Sequence, residues 1–554
     1  MYLRLLALGN GRAKLFPSMT RRTGWFLAWV IALTYLPFLN QLGVPLTGDQ
    51  KVYLSTALEM RETGSWLQPL LFGQGSYFKP PFQYWATLVG WKVFGLSLLG
   101  ALLPSVLALF TTAFLIEKIL DLLKLGESRP RVGLAGLLFA TCLGTWTFGT
   151  TAQMEIWLVF FQALAFYLGL RGIRKPAWLY LAFAVAGLGA WVKSPLYSVF
   201  WVVGFSSFLV MKKETRIFRS PHLYLACLSG VFLGLGWFVW ILWADGDRFW
   251  AHYILQETVS KKGTPMASVP VFWLSLFEFC VPFTPLLIPG ALTLLRHREL
   301  IPLRRFLLAW TWPAALFFSI FPYRISPYLH FLVPVAAILA ALVSDRRWIR
   351  GTVVAFGTLA FGAGLILGRT GLVPAAYAAG LAGVGVAGAV LGWRMAADAG
   401  GFALGVPAMA VLLALRAASA QLGESDVRGL REAVSERPDA PLALIDSAKN
   451  IWHDVGLLSA VVGRPIRRLT EVSEGSTFLA TGGSLILDEE QTRNLISAGK
   501  LGDASLESLV VTPWSRLRSR VNFPYREVLL QGRDSVPDLD SKTHRAYSVV
   551  RLKN

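Results

Sequence analysis

The chain has 554 residues, 54% of them hydrophobic and only 16% charged, with a mean hydropathy of +0.52. A water-soluble domain of this size carries far more charge and shorter apolar runs, so that class is excluded. The net charge of +20 invites a nucleic-acid reading, but the order in which the cations fall along the chain assigns them to membrane topology.

Apolar runs of about 17–25 residues recur from Trp25 to Leu422, each long enough to cross ~30 Å of hydrocarbon. They are continuous rather than alternating, which selects self-bonded helices over a closed barrel. The expected spans are 24–43, 97–117, 132–150, 154–170, 177–192, 195–210, 222–243, 270–293, 306–321, 327–343, 351–368, 373–393 and 402–420. The fold class is therefore an all-α polytopic membrane protein of about 13 helices, closed by a small α/β unit outside the bilayer. A basic segment, 1–23, precedes the first span. No small-x-small cleavage site follows that span, which reads as a signal anchor.

The first external loop, 44–96, is long. Asp49 opens a stretch in which Val52, Leu54, Ala57, Leu58 and Met60 favour a short amphipathic helix lying along the interface. Gly64, Pro69, Gly73 and Gly75 break the chain, and Pro80-Pro81 impose an extended approach to a second, aromatic-rich segment. Every second loop after it is short and basic: Lys124, Arg129 and Arg131; Arg171, Arg174 and Lys175; Lys212, Lys213, Arg216 and Arg219; Arg296 to Arg305; Arg346 to Arg350. With Arg4, Arg12, Lys14, Arg21 and Arg22 at the start, this positive-inside pattern puts the amino terminus in the cytoplasm of a bacterial cell and leaves nucleic acid unneeded.

The remaining ionisable residues collect on the opposite, periplasmic side. Glu155 heads the fourth span, Lys193 closes the fifth in WVKSP, and the loop ADGDRFWAHYILQETVSKKGTPM carries Asp245, Arg248, His252 and Glu257. Arg324 lies in FPYRISPYLH beside Tyr323, Tyr328 and His330. Cys142, Cys227 and Cys280 fall in apolar spans, so no disulfide framework is implied. Beyond about residue 420 the composition turns polar. Periodicity over 426–435 predicts a helix, and PLALIDS and SLILD read as strands of an extracytoplasmic unit, 421–554, whose plain reading is structural or docking. An odd number of spans places its carboxyl end outside.

From Trp25 to Val343 the chain resembles the C-type-fold (GT-C) membrane glycosyltransferases that take sugars from polyprenyl phosphates, and within them the aminoarabinose (lipid A) transferase and protein O-mannosyltransferase branch. The resemblance is carried in order by Asp49, Tyr53, Ala57 with Met60, Gly64, Trp66 and Pro69, by YFKPPFQYW, by LLPSVLALF, by VKSP and by RISPYLHFLVP. Three positions depart from that pattern: Gln50 replaces its second acidic residue, Glu155 an Asp, and Leu102 an Arg.

The resemblance implies a donor whose lipid phosphate is the leaving group, with a lipid, glycan or protein hydroxyl as acceptor, on the outer side of the cytoplasmic membrane. Such chemistry needs a carboxylate to take the acceptor proton and cations to hold the phosphate. Asp49 is the candidate base, with Glu155 orienting the acceptor; the two are also the candidate pair for a divalent cation. Lys79, Lys193 and Arg324 are the candidate phosphate-binding residues, and Tyr53, Tyr77, Tyr84, Tyr328, Arg248 and His252 the candidate substrate contacts. By residue chemistry alone, Gly48-Asp49 also reads as a helix N-cap, Glu155 as a helix start favoured by the macrodipole, and each of Lys79, Lys193 and Arg324 as a snorkelling cation. Two other classes compete. A secondary transporter would place its charges near the bilayer midplane in repeated broken helices, whereas these cluster at one face. A non-catalytic scaffold would account for Gln50 and Leu102.

Overall fold

The computed structural model describes residues 21–43, 48–259, 267–370, 375–395, 402–445, 455–488, 506–515 and 544–552. They are mostly helical. Leu98–Leu123, Pro221–Ala244 and Arg346–Ile366 are long and apolar enough to cross a bilayer. The bent pair Val269–Phe279 and Thr284–Arg296 raises that number to as many as four. Ala177–Gly189 and Pro195–Met211 are shorter apolar helices.

Two expected spans are broken, and the breaks meet. The segment 132–150 divides into Leu134–Ala140 and Leu143–Gly149, with Cys142 extended between them. The segment 270–293 turns through 111° after Phe279. The Leu143 N–H freed by the first break bonds the Val281 carbonyl in the second at 2.8 Å. Hydropathy sees one apolar run in each place, because a backbone group satisfied by a distant segment leaves no local signal. The run 327–343 is likewise a 3₁₀ stretch, Ser326–Leu332, followed by the helix Val333–Ala341.

Close packing comes from small residues. Ala177–Gly189 lies along Pro221–Ala244 with Gly187 and Gly230 at the crossing, where a Cβ on either would strike the other helix's backbone. On the basic side Arg129 is neutralised, bonding Glu117 at 3.1 Å and Asp121 at 2.7 Å.

The helix expected after Asp49 forms, over Gly48–Thr63, with Asp49 in its first turn. Tyr53, Leu54, Ala57, Leu58 and Met60 are all buried. At the far end of the chain, the helix expected over 402–420 runs on to Ser435, since Val427, Leu430 and Val434 keep its buried face. A five-stranded sheet follows, in the spatial order Ile466–Leu469, Leu442–Ile445, Ser484–Asp488, His544–Leu552, Leu506–Ser515. The first three strands are parallel, and the last two are antiparallel to their neighbours. Val455–Val462 and Val472–Ala480 supply the crossover helices that parallel pairing requires.

Val455–Val462 packs against the Gly48–Thr63 helix. The Gly456 N–H donates to the Ser55 hydroxyl at 3.1 Å, and a Cβ at Gly456 would run into the backbone of Leu54 and Ser55. Arg468 lies over the Phe72 ring of the same loop. Gly456→Val should therefore overpack this contact, at a cost of about 1–3 kcal/mol. A thermal midpoint equal to that of the unmodified protein would show that the site accommodates the side chain.

Candidate active site

Four separate segments bring charge to one place. Asp49 comes from the first turn of the Gly48–Thr63 helix. Lys79 is held extended before Pro80-Pro81, a restriction proline places on the residue preceding it. Glu155 begins the helix Glu155–Gly172, where the N-terminal dipole favours a carboxylate. Lys193 sits in the tight junction before Ser194-Pro195, with proline at the first helical position.

Lys193 donates to Glu155 at 2.8 Å, and both side chains are nearly buried, at 13% and 10% exposure. Its ammonium also stands over the Tyr328 ring, 4.6 Å from the centroid. Lys79 pairs with Glu257 and donates to the Phe78 carbonyl at 2.9 Å. Among the described residues, no lysine or arginine is paired with Asp49. Solvent reaches Asp49, yet protein crowds it. Burial, followed by the charge of Glu155, raises its carboxyl above the ordinary range, while Lys79 and Lys193 oppose the shift. Tyr53 and Tyr84 meet edge to face at 6.1 Å, and burial together with the nearby carboxylates pushes both phenols up. Asp49, Lys79, Glu155, Lys193, Tyr53, Tyr84 and Tyr328 thus form one electrostatic neighbourhood.

Three expected residues, Tyr77, Arg324 and His252, are engaged elsewhere. The Tyr77 hydroxyl is spent on Asp245 at 2.6 Å and accepts from Gln68 at 2.7 Å, in a small core with Trp237 and Phe249. Arg324 gives Nε to the Ala267 carbonyl at 3.0 Å and Nη1 to Phe321 at 2.6 Å, which orders a turn. His252 stacks on Phe78 behind Lys79, 5.6 Å between centroids. Burial, and after it the charge of neighbouring Arg248, lowers its pKa.

Sequence reasoning passed over Glu257 and His330. Glu257 sits in a charge-rich loop, where one carboxylate looks like another until its lysine is known. His330 is fully buried, tilted against Phe148 at 4.6 Å, and its two ring nitrogens have no hydrogen-bond partner among the described residues. It is close enough to Glu155 to interact electrostatically. The patterned departures are buried too: Gln50 at 5% and Leu102 at 2% exposure, the latter leaving no cation there.

A divalent cation needs several converging oxygens. Among the described residues no group of three or more His, Cys, Asp or Glu converges in that way, and Glu155 already holds Lys193. Asp49 and Glu155 therefore do not make a metal cage.

Residues 78–240 match the family model described as dolichyl-phosphate-mannose-protein mannosyltransferase. The undecaprenyl phosphate-alpha-4-amino-4-deoxy-L-arabinose arabinosyl transferase of Aeromonas salmonicida is 28% identical over 339 residues, 58% of this chain and 60% of that protein. The protein of the same name from Yersinia enterocolitica is 26% identical over 336 residues, 58% of this chain and 59% of that protein. The chain thus aligns with somewhat less than two thirds of the length of these relatives. The crystal structure of ArnT from Cupriavidus metallidurans bound to undecaprenyl phosphate superposes with a TM-score of 0.66 at 15% identity, covering 95% of this chain and 98% of that one. The chain therefore has the fold of that protein and resembles the polyprenyl-phosphate-dependent glycosyltransferases of the aminoarabinose-transferase type.

Proposed function

We propose that this protein is a membrane glycosyltransferase that moves a sugar from a polyprenyl-phosphate donor to a hydroxyl of an envelope acceptor, at the outer face of the cytoplasmic membrane. The observation that carries the reading is the convergence of Asp49, Lys79, Glu155 and Lys193 from four segments at one end of the helical body. Asp49 takes the acceptor proton. Lys79 and Lys193 release their carboxylates in part to meet the lipid phosphate as it gains charge, in a desolvated setting where such contacts are strongest. One base and no separate nucleophile make a single displacement with inversion at the sugar carbon. Residues 24–420, in about thirteen spans, form the transferase body, and residues 421–554 form an extracytoplasmic unit resting on the first loop. The names of the relatives favour an undecaprenyl-phosphate-linked 4-amino-4-deoxy-L-arabinose as donor.

The test uses purified protein, undecaprenyl phosphate carrying a labelled sugar, and candidate acceptors. Label should pass to an acceptor with release of undecaprenyl phosphate. Binding of the donor without transfer to lipid A, glycan or peptide would leave a scaffold instead. Lys79→Ala should abolish transfer in a protein that still inserts, and Lys79→Arg should keep part of it, because charge survives while a planar fork replaces a point charge. Full turnover by the alanine variant would reduce Lys79 to a partner of Glu257.

A further inference from the structure

The helices that begin or end at the carboxylate cluster meet again at their opposite ends. Glu155 and Arg171 lie on one helix, about 24 Å apart at 1.5 Å per residue. Around Arg171 a cavity of ≈ 440 Å³ opens between helix ends, lined by Lys124, Arg171, Arg174, Lys175, Lys212 and Arg305. Among the described residues no carboxylate lines it. Of these six cations, only Lys212 faces a carboxylate among the described residues, Glu214 at 3.4 Å. The rest of the lining is apolar or aromatic and includes Leu122, Leu170 and Phe208. Arg171 is held in place, with its guanidinium 3.7 Å from the Trp178 ring centroid and 3.2 Å from the Tyr167 hydroxyl.

A topology signal needs cations in these loops, but it does not need them to converge on a shared cavity. Five chain segments do so here: the end of Leu98–Leu123, the end of Glu155–Gly172, the start of Ala177–Gly189, the end of Pro195–Met211 and the start of Ile301–Ile320. Six cations lining one cavity create a positive potential that attracts an anion. A soluble anion has no use for the leucine and phenylalanine wall, whereas a lipid places its phosphate among the cations and its first methylenes on that wall.

We propose that this cavity holds the phosphate headgroup of an anionic phospholipid from the leaflet opposite the carboxylate site. Arg171 offers the fixed, bidentate contact and the lysines offer mobile point charges. The inference stands apart from the transferase reading, because its readout is binding.

The test is native mass spectrometry of the full chain from detergent micelles, after exposure to cardiolipin, phosphatidylglycerol or phosphatidylcholine. The anionic lipids should be retained and phosphatidylcholine lost. Replacing three cations, Arg174→Ala with Lys175→Ala and Arg305→Ala, should weaken retention roughly a hundredfold, at about fivefold per cation. Leu122→Trp keeps every cation, and so the insertion signal, while filling the cavity; it should also release the lipid. Equal retention of phosphatidylcholine, or undiminished cardiolipin binding by the Leu122→Trp protein, would overturn the assignment. Displacement of cardiolipin by millimolar inorganic phosphate would overturn it in favour of a soluble anion.

Discussion

Asp49→Asn should slow transfer to a hydroxyl acceptor by roughly two to four orders of magnitude, the usual worth of general-base catalysis, with little loss of stability. Asp49 lies inside the first turn of the Gly48–Thr63 helix, so the isosteric asparagine removes charge and basicity while costing the helix only its dipole interaction, less than ~1 kcal/mol. Donor affinity should survive, since Lys79 and Lys193 hold the phosphate. The pH profile gives an independent check. Burial and Glu155 raise the Asp49 carboxyl above its ordinary value, so the base is lost by protonation as pH falls through that raised value. The acid limb of kcat/KM should lie correspondingly higher than for a solvated aspartate, and it should vanish in the asparagine protein. An asparagine variant with unaltered turnover would make Asp49 a charge at a helix start and nothing more.

Glu155→Gln has the larger expected effect on stability. Lys193 and Glu155 are nearly buried, and removing one partner of such a pair leaves an uncompensated charge, at about 3–5 kcal/mol. A solvated pair would lose less than ~1 kcal/mol, so denaturant or thermal midpoints separate the two cases cleanly. The double variant Glu155→Gln with Lys193→Met should recover most of the stability, because both charges leave together. It should not recover transfer, because the phosphate has lost a cation. Recovery of both would make the pair purely structural.

Much of this site was legible in the order of residues. Asp49 before an amphipathic period, Lys79 before two prolines, and Glu155 and Lys193 at span ends each stood out as charge outside the basic loops. What escaped was pairing over long separations. Asp245, which takes the Tyr77 hydroxyl, is 168 residues away, and the Ala267 carbonyl that occupies Arg324 is 57 away. Neither partner alters the local pattern around the residue it engages. The strands Leu442–Ile445 and Ser484–Asp488 were readable for the opposite reason, as short apolar runs bounded by turn residues. The broken helices were not, since apolar composition continues straight through Cys142 and Cys280.

The contact between Gly456 and Ser55 joins residues 401 apart in sequence, and that separation gives the molecule a schedule. At about 5–20 residues per second of synthesis, the helix that opens with Asp49 waits some 20–80 s for the segment that covers it. Every lysine and carboxylate of the cluster leaves the ribosome in that interval. A nascent chain stalled before residue 455 thus holds all the charged groups of the site without the surface against which the Gly48–Thr63 helix is packed. Maturation of the site becomes one of the last events in the protein's biogenesis, and loss of the tail is felt at the first loop.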